Sequence, residues 1–120
     1  MSVLLPSGNV SAAEDLRRAI HPDQVDENGE PTSAAFSTID MSVDVASLAS
    51  LDETRRRFPK KRVAIFPCQA VITLGVNPIH DPLPDNSSHA IVPGRLSRGN
   101  ARKLQSAVKA VIDSLESGHA

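Results

Sequence analysis

RVAIFPCQAVITLGV, Arg62 to Val76, is the longest nearly uncharged apolar run in the chain, and its reading decides the fold. A basic cluster precedes it and a Pro-rich segment follows. Val63 to Phe66, β-branched and aromatic, suits a strand buried on both faces. Pro67 suits the first position of a helix, and Gly75 the left-handed residue that closes one. The stretch therefore predicts strand, break and short helix, with the rest of the core packed on it.

Upstream, Ser47 to Phe58 carries Leu48, Leu51 and Phe58 on one helical stripe. Ser50-Leu-Asp-Glu53 forms a capping box, Arg55 to Arg57 complement the helix C-terminus, and Pro59 ends the element. Met41 to Val45 and Ala34 to Thr38 alternate like strands. Ser11-Ala-Ala-Glu14 is a second capping box, so a short helix is expected there, stopped by Pro22. Leu16 to Ile20 reads equally as a strand, because the residue before a proline is pushed towards extended geometry. Asp23 to Ser33 is an acidic, turn-rich loop.

Downstream, prolines alternate with short apolar pieces, giving an extended segment at Val76 to Asp81, a loop at Pro82 to Ser88 and a strand at His89 to Val92. Leu104, Ala107, Val108, Val111, Ile112 and Leu115 follow helical spacing, which predicts a final helix of about four turns with Gly118 as its stop. Residues 1–10 read as a flexible arm, and 11–120 as a single small α+β or α/β domain. Its expected architecture is a mixed sheet of four to five strands covered by two or three helices.

Composition agrees with one domain. The chain has 120 residues, 40% of them apolar, which suffices for one core and not for two. Phe36, Phe58 and Phe66 are its only aromatics, which argues against base-stacking platforms. A single cysteine, Cys68, excludes an intrachain disulfide and fits a reducing cytoplasm. The first ten residues lack the basic and apolar regions of a leader, and no run approaches the roughly 20 apolar residues of a membrane span. No membrane partner is expected.

Charge is unevenly distributed. Residues 1–54 hold 2 Lys/Arg against 10 Asp/Glu, and residues 55–120 hold 11 against 4. Either the halves neutralise each other across the fold, or a basic face meets an acidic partner or nucleic acid. The densest basic patch is Arg55, Arg56, Arg57, Lys60, Lys61 and Arg62, able to meet phosphates or to guard an aggregation-prone strand. Gly94 to Asn100 opens a helix, where Arg95, Arg98, Arg102 and Lys103 could close around an anion, or where Ser97 or Asn100 simply caps the helix. No Walker loop is present. Cys68 at a helix start is a candidate nucleophile or buried filling. His21, His80, Asp81 and His89 match no metal-ligand spacing, so no metal and no cofactor is expected.

Arg17 or Arg18, then Thr32-Ser33, then Ser37 or Ser42, resembles the opening layout of the ADP-ribosyltransferase group. That resemblance implies that these residues hold the phosphates and ribose of NAD. The group's catalytic glutamate has no counterpart on a later strand, since after Glu53 only Glu116 remains. The order RAIHP, GEPTSAAFS, MSVD, LGVNPIHDPLP, HAIVPG, from Arg18 to Gly94, resembles a family of small uncharacterised bacterial proteins. It implies a stand-alone bacterial domain and carries over no catalytic residue. Function is accordingly expected to be that of a non-enzymatic binding module in a cytoplasmic multi-protein system, with another protein as partner. The alternatives are a small nucleotide- or NAD-handling enzyme using Arg18, Ser33, Ser42 and His89, and a nucleic-acid-binding accessory protein using the basic patch.

Overall fold

The computed structural model describes residues 8–115. The fold is α+β, with six strands in one wholly antiparallel sheet: β1 (Asp15–Ile20), β2 (Met41–Val45), β3 (Arg62–Pro67), β4 (Ile79–His80), β5 (His89–Val92) and β6 (Ala110–Ile112). Their order across the sheet is β4-β5-β2-β1-β3-β6. Three α-helices complete it: α1 (Leu51–Arg57), α2 (Cys68–Thr73) and α3 (Arg98–Ser106).

The two faces of the sheet differ in chemistry. One carries Leu16 paired with both Val45 and Phe66, Val43 with Ala90, and Met41 with Val92. These side chains are buried and join Cys68 and Val71 of α2, Ala101 and Leu104 of α3, and Val10 in a single core. A 3-10 turn, Ser33–Phe36, drives Phe36 into this core, where its ring meets Phe66 edge-on with centroids 5.7 Å apart. The other face carries Arg17 opposite Asp44, and Asp44 opposite His89. Among the described residues, α1, the turn leading into it and the loop before β5 lie over this polar side.

The central stretch folds as strand, break and short helix, with Pro67 at the N-cap of α2 rather than at its first position. Val63, Ala64 and Phe66 are fully buried, Pro67 leads into α2, and Gly75 takes a φ of 90° where the chain turns away. The box at Ser50 also forms, with Ser50 Oγ accepting from Glu53 N and Glu53 Oε1 from Ser50 N. Those contacts, the Ser50 backbone N–H first, hold the Glu53 carboxyl below its ordinary range. This helix starts at Leu51 rather than Ser47, because Ala46–Leu48 winds as a 3-10 turn.

The sheet is antiparallel with six strands where a mixed one of four to five was expected, because residues 110–112 add a strand, and four local expectations are corrected. Ser11 to Glu14 makes a turn and no helix: Glu14 turns its carboxylate to the Ser47 hydroxyl, 2.6 Å away, and the chain enters β1. Ala34 to Thr38 is no strand: the 3-10 turn Ser33–Phe36 is closed by Ser37, whose N–H and hydroxyl both donate to the Ala34 carbonyl. The extended piece at Val76 to Asp81 narrows to the two residues of β4. The last helix ends at Ser106, and residues 110–112 become β6. Helical spacing there coincided with β-branched Val111 and Ile112, which pair well with a strand whose ladder groups would otherwise stay open. Ile65 O captures Lys109 N at 2.7 Å, and Val111 settles opposite Ala64.

Of the arm expected at residues 1–10, the first seven lie outside the described residues, as does Gly118. Gly8–Val10 lies along β4, with Val10 N donating to Pro78 O and His80 N to Gly8 O. Replacing Phe66 by Ala should destabilise the fold by about 3–5 kcal/mol, since it empties the ring's place in the core. Leu48→Ala, at a site 49% exposed, should stay within about 0.5 kcal/mol. Urea unfolding of both variants checks the contrast.

Candidate functional site

On the polar face, α1 and the loop before β5 stand apart and leave a cleft of about 500 Å³. Its floor is Arg17, Ala19, Ser42, Asp44 and His89. Thr54, Arg57 and Phe58 form one wall with Lys61, and Leu83, Asp85 and Asn86 the other.

Asp44 holds the walls to the floor. Its side chain is only 5% exposed, so its oxygens need donors. Thr54 Oγ1 donates to Oδ2 and Asn86 Nδ2 to Oδ1, each at 2.8 Å, and Arg57 Nη2 lies 3.5 Å away. Asn86 is fixed in turn, its Oδ1 accepting from the N–H and hydroxyl of Ser88. One carboxylate thus joins β2, α1 and the loop.

Beside it, His89 is held at both nitrogens. Nδ1 lies 2.8 Å from the Asp81 carbonyl and 3.3 Å from Asp81 Oδ2, and Nε2 lies 3.1 Å from Ser42 Oγ. A carbonyl oxygen only accepts, so Nδ1 carries the proton, and in the neutral ring Nε2 turns its lone pair to the Ser42 hydroxyl.

Two arginines lie beneath. Arg17 donates to the carbonyls of Ala49 (2.6 Å) and Ala46 and to Thr54 Oγ1. Burial lowers its pKa, and Asp44, Asp15 and Glu53 partly oppose that shift. Arg18 occupies the place where the β1–β2 ladder stops after two pairs. It donates to Ala35 O, Ser42 O and Thr38 Oγ1, and burial alone lowers its pKa.

Of the residues singled out in the sequence, Arg18, Ser42 and His89 come together here. Ser33 does not. It lines a separate cleft of about 350 Å³ with Ser37, Arg95 and Arg98, since the 3-10 turn carries it to the helix-covered side. Arg102 and Lys103 are exposed on α3 and line neither cleft. Ser97 caps α3, accepting from Asn100 N at 3.1 Å.

The basic cluster is divided. Arg55 donates to the Asp113 carbonyl, Arg62 pairs with the Asp113 carboxylate, and Arg57 turns inward to Asp44. Lys61 stands 5.7 Å from the Phe58 ring centroid, and Arg56 and Lys60 are exposed. Pairs such as Lys109 with Asp15 (2.8 Å) and Arg57 with Asp44 neutralise the acidic half of the chain with the basic half.

His21 serves as a cap, Nδ1 accepting from Asp23 N, and His80 sits 2.9 Å from Ser87 O. Among the described residues no three His, Cys, Asp or Glu gather as a metal site. Cys68 is fully buried, and burial first, then Glu14, pushes its thiol up to about 11. A thiol so protonated is no nucleophile at neutral pH.

Sequence reading missed Asp44 and Asn86 as site residues and weighed Asp81 only as a metal ligand. The available signal was an acid placed between Val43 and Val45 in a strand, where burial demands partners.

Asp44→Ala should destabilise by about 3–5 kcal/mol, because Arg57, Thr54 and Asn86 lose their common acceptor. Asp44→Asn, which keeps an oxygen, should cost less; urea unfolding separates the two. Cys68 adds a pH signature. Its folded pKa is raised, so its contribution is complete below the unfolded thiol's value of about 8.5. That contribution falls away as pH climbs to about 11. Thermal melts should show the decline, reduced in Cys68→Ala.

In comparisons with known proteins, no family model matches the chain, and no curated protein or solved structure is significantly similar to it.

Proposed function

We propose that this domain binds a small phosphate-bearing ligand of the nucleotide class in the cleft over β1, β2 and β5. The observation that carries the reading is the pair Arg17 and Arg18. Both guanidiniums are partly buried, both are held by carbonyls and hydroxyls, and neither forms a salt bridge within 4 Å among the described residues. Neutral acceptors satisfy their N–H groups; Asp44, Asp15 and Glu53 partly offset the charge of Arg17, whereas no carboxylate does so for Arg18, so an anion above Arg18 is attracted. Lys61, exposed and 5.7 Å from the Phe58 ring centroid, adds a cation at the rim. Phe58 and Leu83 give the apolar wall that a ring system needs, and the cleft has the volume of a small-molecule site.

The resemblance of the segment order from Arg18 to Gly94 to small bacterial proteins is the support for a bacterial, stand-alone domain. A buried thiol without a disulfide partner supports a reducing, cytoplasmic setting. Among the described residues no helix is long and apolar enough to cross a membrane. A nucleic-acid role for the basic cluster is less favoured, because Arg55, Arg57 and Arg62 are engaged with Asp44 and Asp113.

Thermal-shift and calorimetric titrations with ATP, ADP, NAD and inorganic phosphate test the proposal. At 100 times its dissociation constant, a ligand should stabilise the fold by about 2.7 kcal/mol. Lys61→Ala should weaken nucleotide binding about tenfold, a loss of about 1.4 kcal/mol. Lys60→Ala, outside the cleft, should leave it unchanged. Absence of any shift with all four ligands would remove this reading.

A further inference from the structure

We propose that Ser42 is a nucleophile for acyl transfer, with His89 as its general base and Asp81 as the residue that positions the imidazole. This goes beyond ligand binding and stands on a separate geometry. The Ser42 hydroxyl opens to the cleft from β2, and His89 Nε2 lies 3.1 Å from it, within reach for proton transfer. The ring cannot turn freely: Nδ1 is fixed by the Asp81 carbonyl at 2.8 Å and faces the Asp81 carboxylate at 3.3 Å. That carboxylate also steadies the imidazolium that forms when the ring accepts a proton. His89 is 12% exposed, so the charge develops where water screens it little.

The arrangement follows from the sheet. Asp44 pairs with His89 across β2 and β5, so the imidazole rises one position from Ser42 on the same polar face. Asp81 follows β4, and its N–H donates to the His89 carbonyl at 2.9 Å, setting its side chain beside the ring. Three residues from three segments are thereby brought together, with Ser42 and His89 lining the cleft and Asp81 at the imidazole's Nδ1. Buried structural serines have no need of this: Ser88, also close by, gives its hydroxyl to Asn86.

The substrate class is a carboxylic ester or thioester. Ser42 Oγ bonds to the acyl carbon while its proton passes to His89 Nε2. The bond from that carbon to the leaving oxygen or sulfur breaks, its electron pair departs with the leaving group, and His89 returns the proton there. Water then attacks the acyl-serine, gives a proton to His89, and releases the acid as Oγ recovers its proton. Lys61 lines the same cleft and, unlike Arg57 with its Asp44 partner, is the cation that can approach the oxyanion.

A fluorophosphonate reports on this chemistry without the natural substrate: Oγ bonds to phosphorus, fluoride leaves with its electron pair, and the proton goes to His89. The full chain treated with this probe should gain one adduct by intact mass, assigned to Ser42 by peptide mapping and absent in Ser42→Ala. His89→Gln should slow labelling at least about 100-fold. Asp81→Asn, which keeps the backbone carbonyl, should slow it about tenfold with an unchanged melting temperature.

Ser42→Cys gives a second measurement. Its alkylation by iodoacetamide at neutral pH should be about tenfold faster than in the double variant that also carries His89→Gln. Buried Cys68 supplies the unreactive internal reference. No adduct, an adduct elsewhere, or labelling and alkylation rates indifferent to His89→Gln overturn the proposal. A rate unaltered by Asp81→Asn overturns the positioning role of its carboxylate. Nucleotide titrations are read separately, so loss of one conclusion leaves the other standing.

Discussion

Asp44 is a carboxylate where carboxylates are expensive to keep, at the centre of a sheet and almost out of reach of solvent. Its position is tolerable only because Thr54, Asn86 and Arg57 converge on it. Each partner belongs to a different part of the polar face, so the same contacts that satisfy the charge fix α1 and the loop before β5. Without that knot the sheet would have one well-packed side and one loosely dressed one. With it, a cleft of defined shape exists between the two tethered elements.

The two faces divide labour accordingly. Stability resides on the side of Phe36, Phe66, Leu16 and Leu104, where aliphatic packing and one aromatic contact fill the core. The opposite side carries the groups that are costly to bury: two guanidiniums, a carboxylate and an imidazole. Polar groups retained in this way mark the side where a ligand and chemistry are to be sought. Arg18 bridges the two, since it starts on the packed side and donates to Ser42 O where β1 and β2 separate. Opposite charges of the two halves meet across the fold, at the surface through Lys109 with Asp15 and in the interior through Arg57 with Asp44.

Local signals carried much of the architecture. The strands β2, β3 and β5, the capping box at Ser50 and the turn at Gly75 were legible because each rests on neighbours within a few residues. The final stripe was not, because Val108, Val111 and Ile112 satisfy a helical spacing while their β-branched side chains favour a ladder, and only β3 beside them decides. For the site, Arg18, Ser42 and His89 were legible as residue types, whereas their meeting depends on register between β1, β2 and β5. Ser33 was assigned to the same group through an expected strand at Ala34 to Thr38, and the 3-10 turn sends it to the other side. Asp44 escaped notice for a related reason: a lone acid between two valines acquires its meaning from partners 10 and 42 residues away.

The outermost strands have a consequence for how this molecule behaves in a crowd. β4 has two residues and β6 three, and a passing chain would find hardly any open backbone to zip onto. The chain can therefore carry a long greasy segment at its middle and still resist growing into fibrils by strand addition.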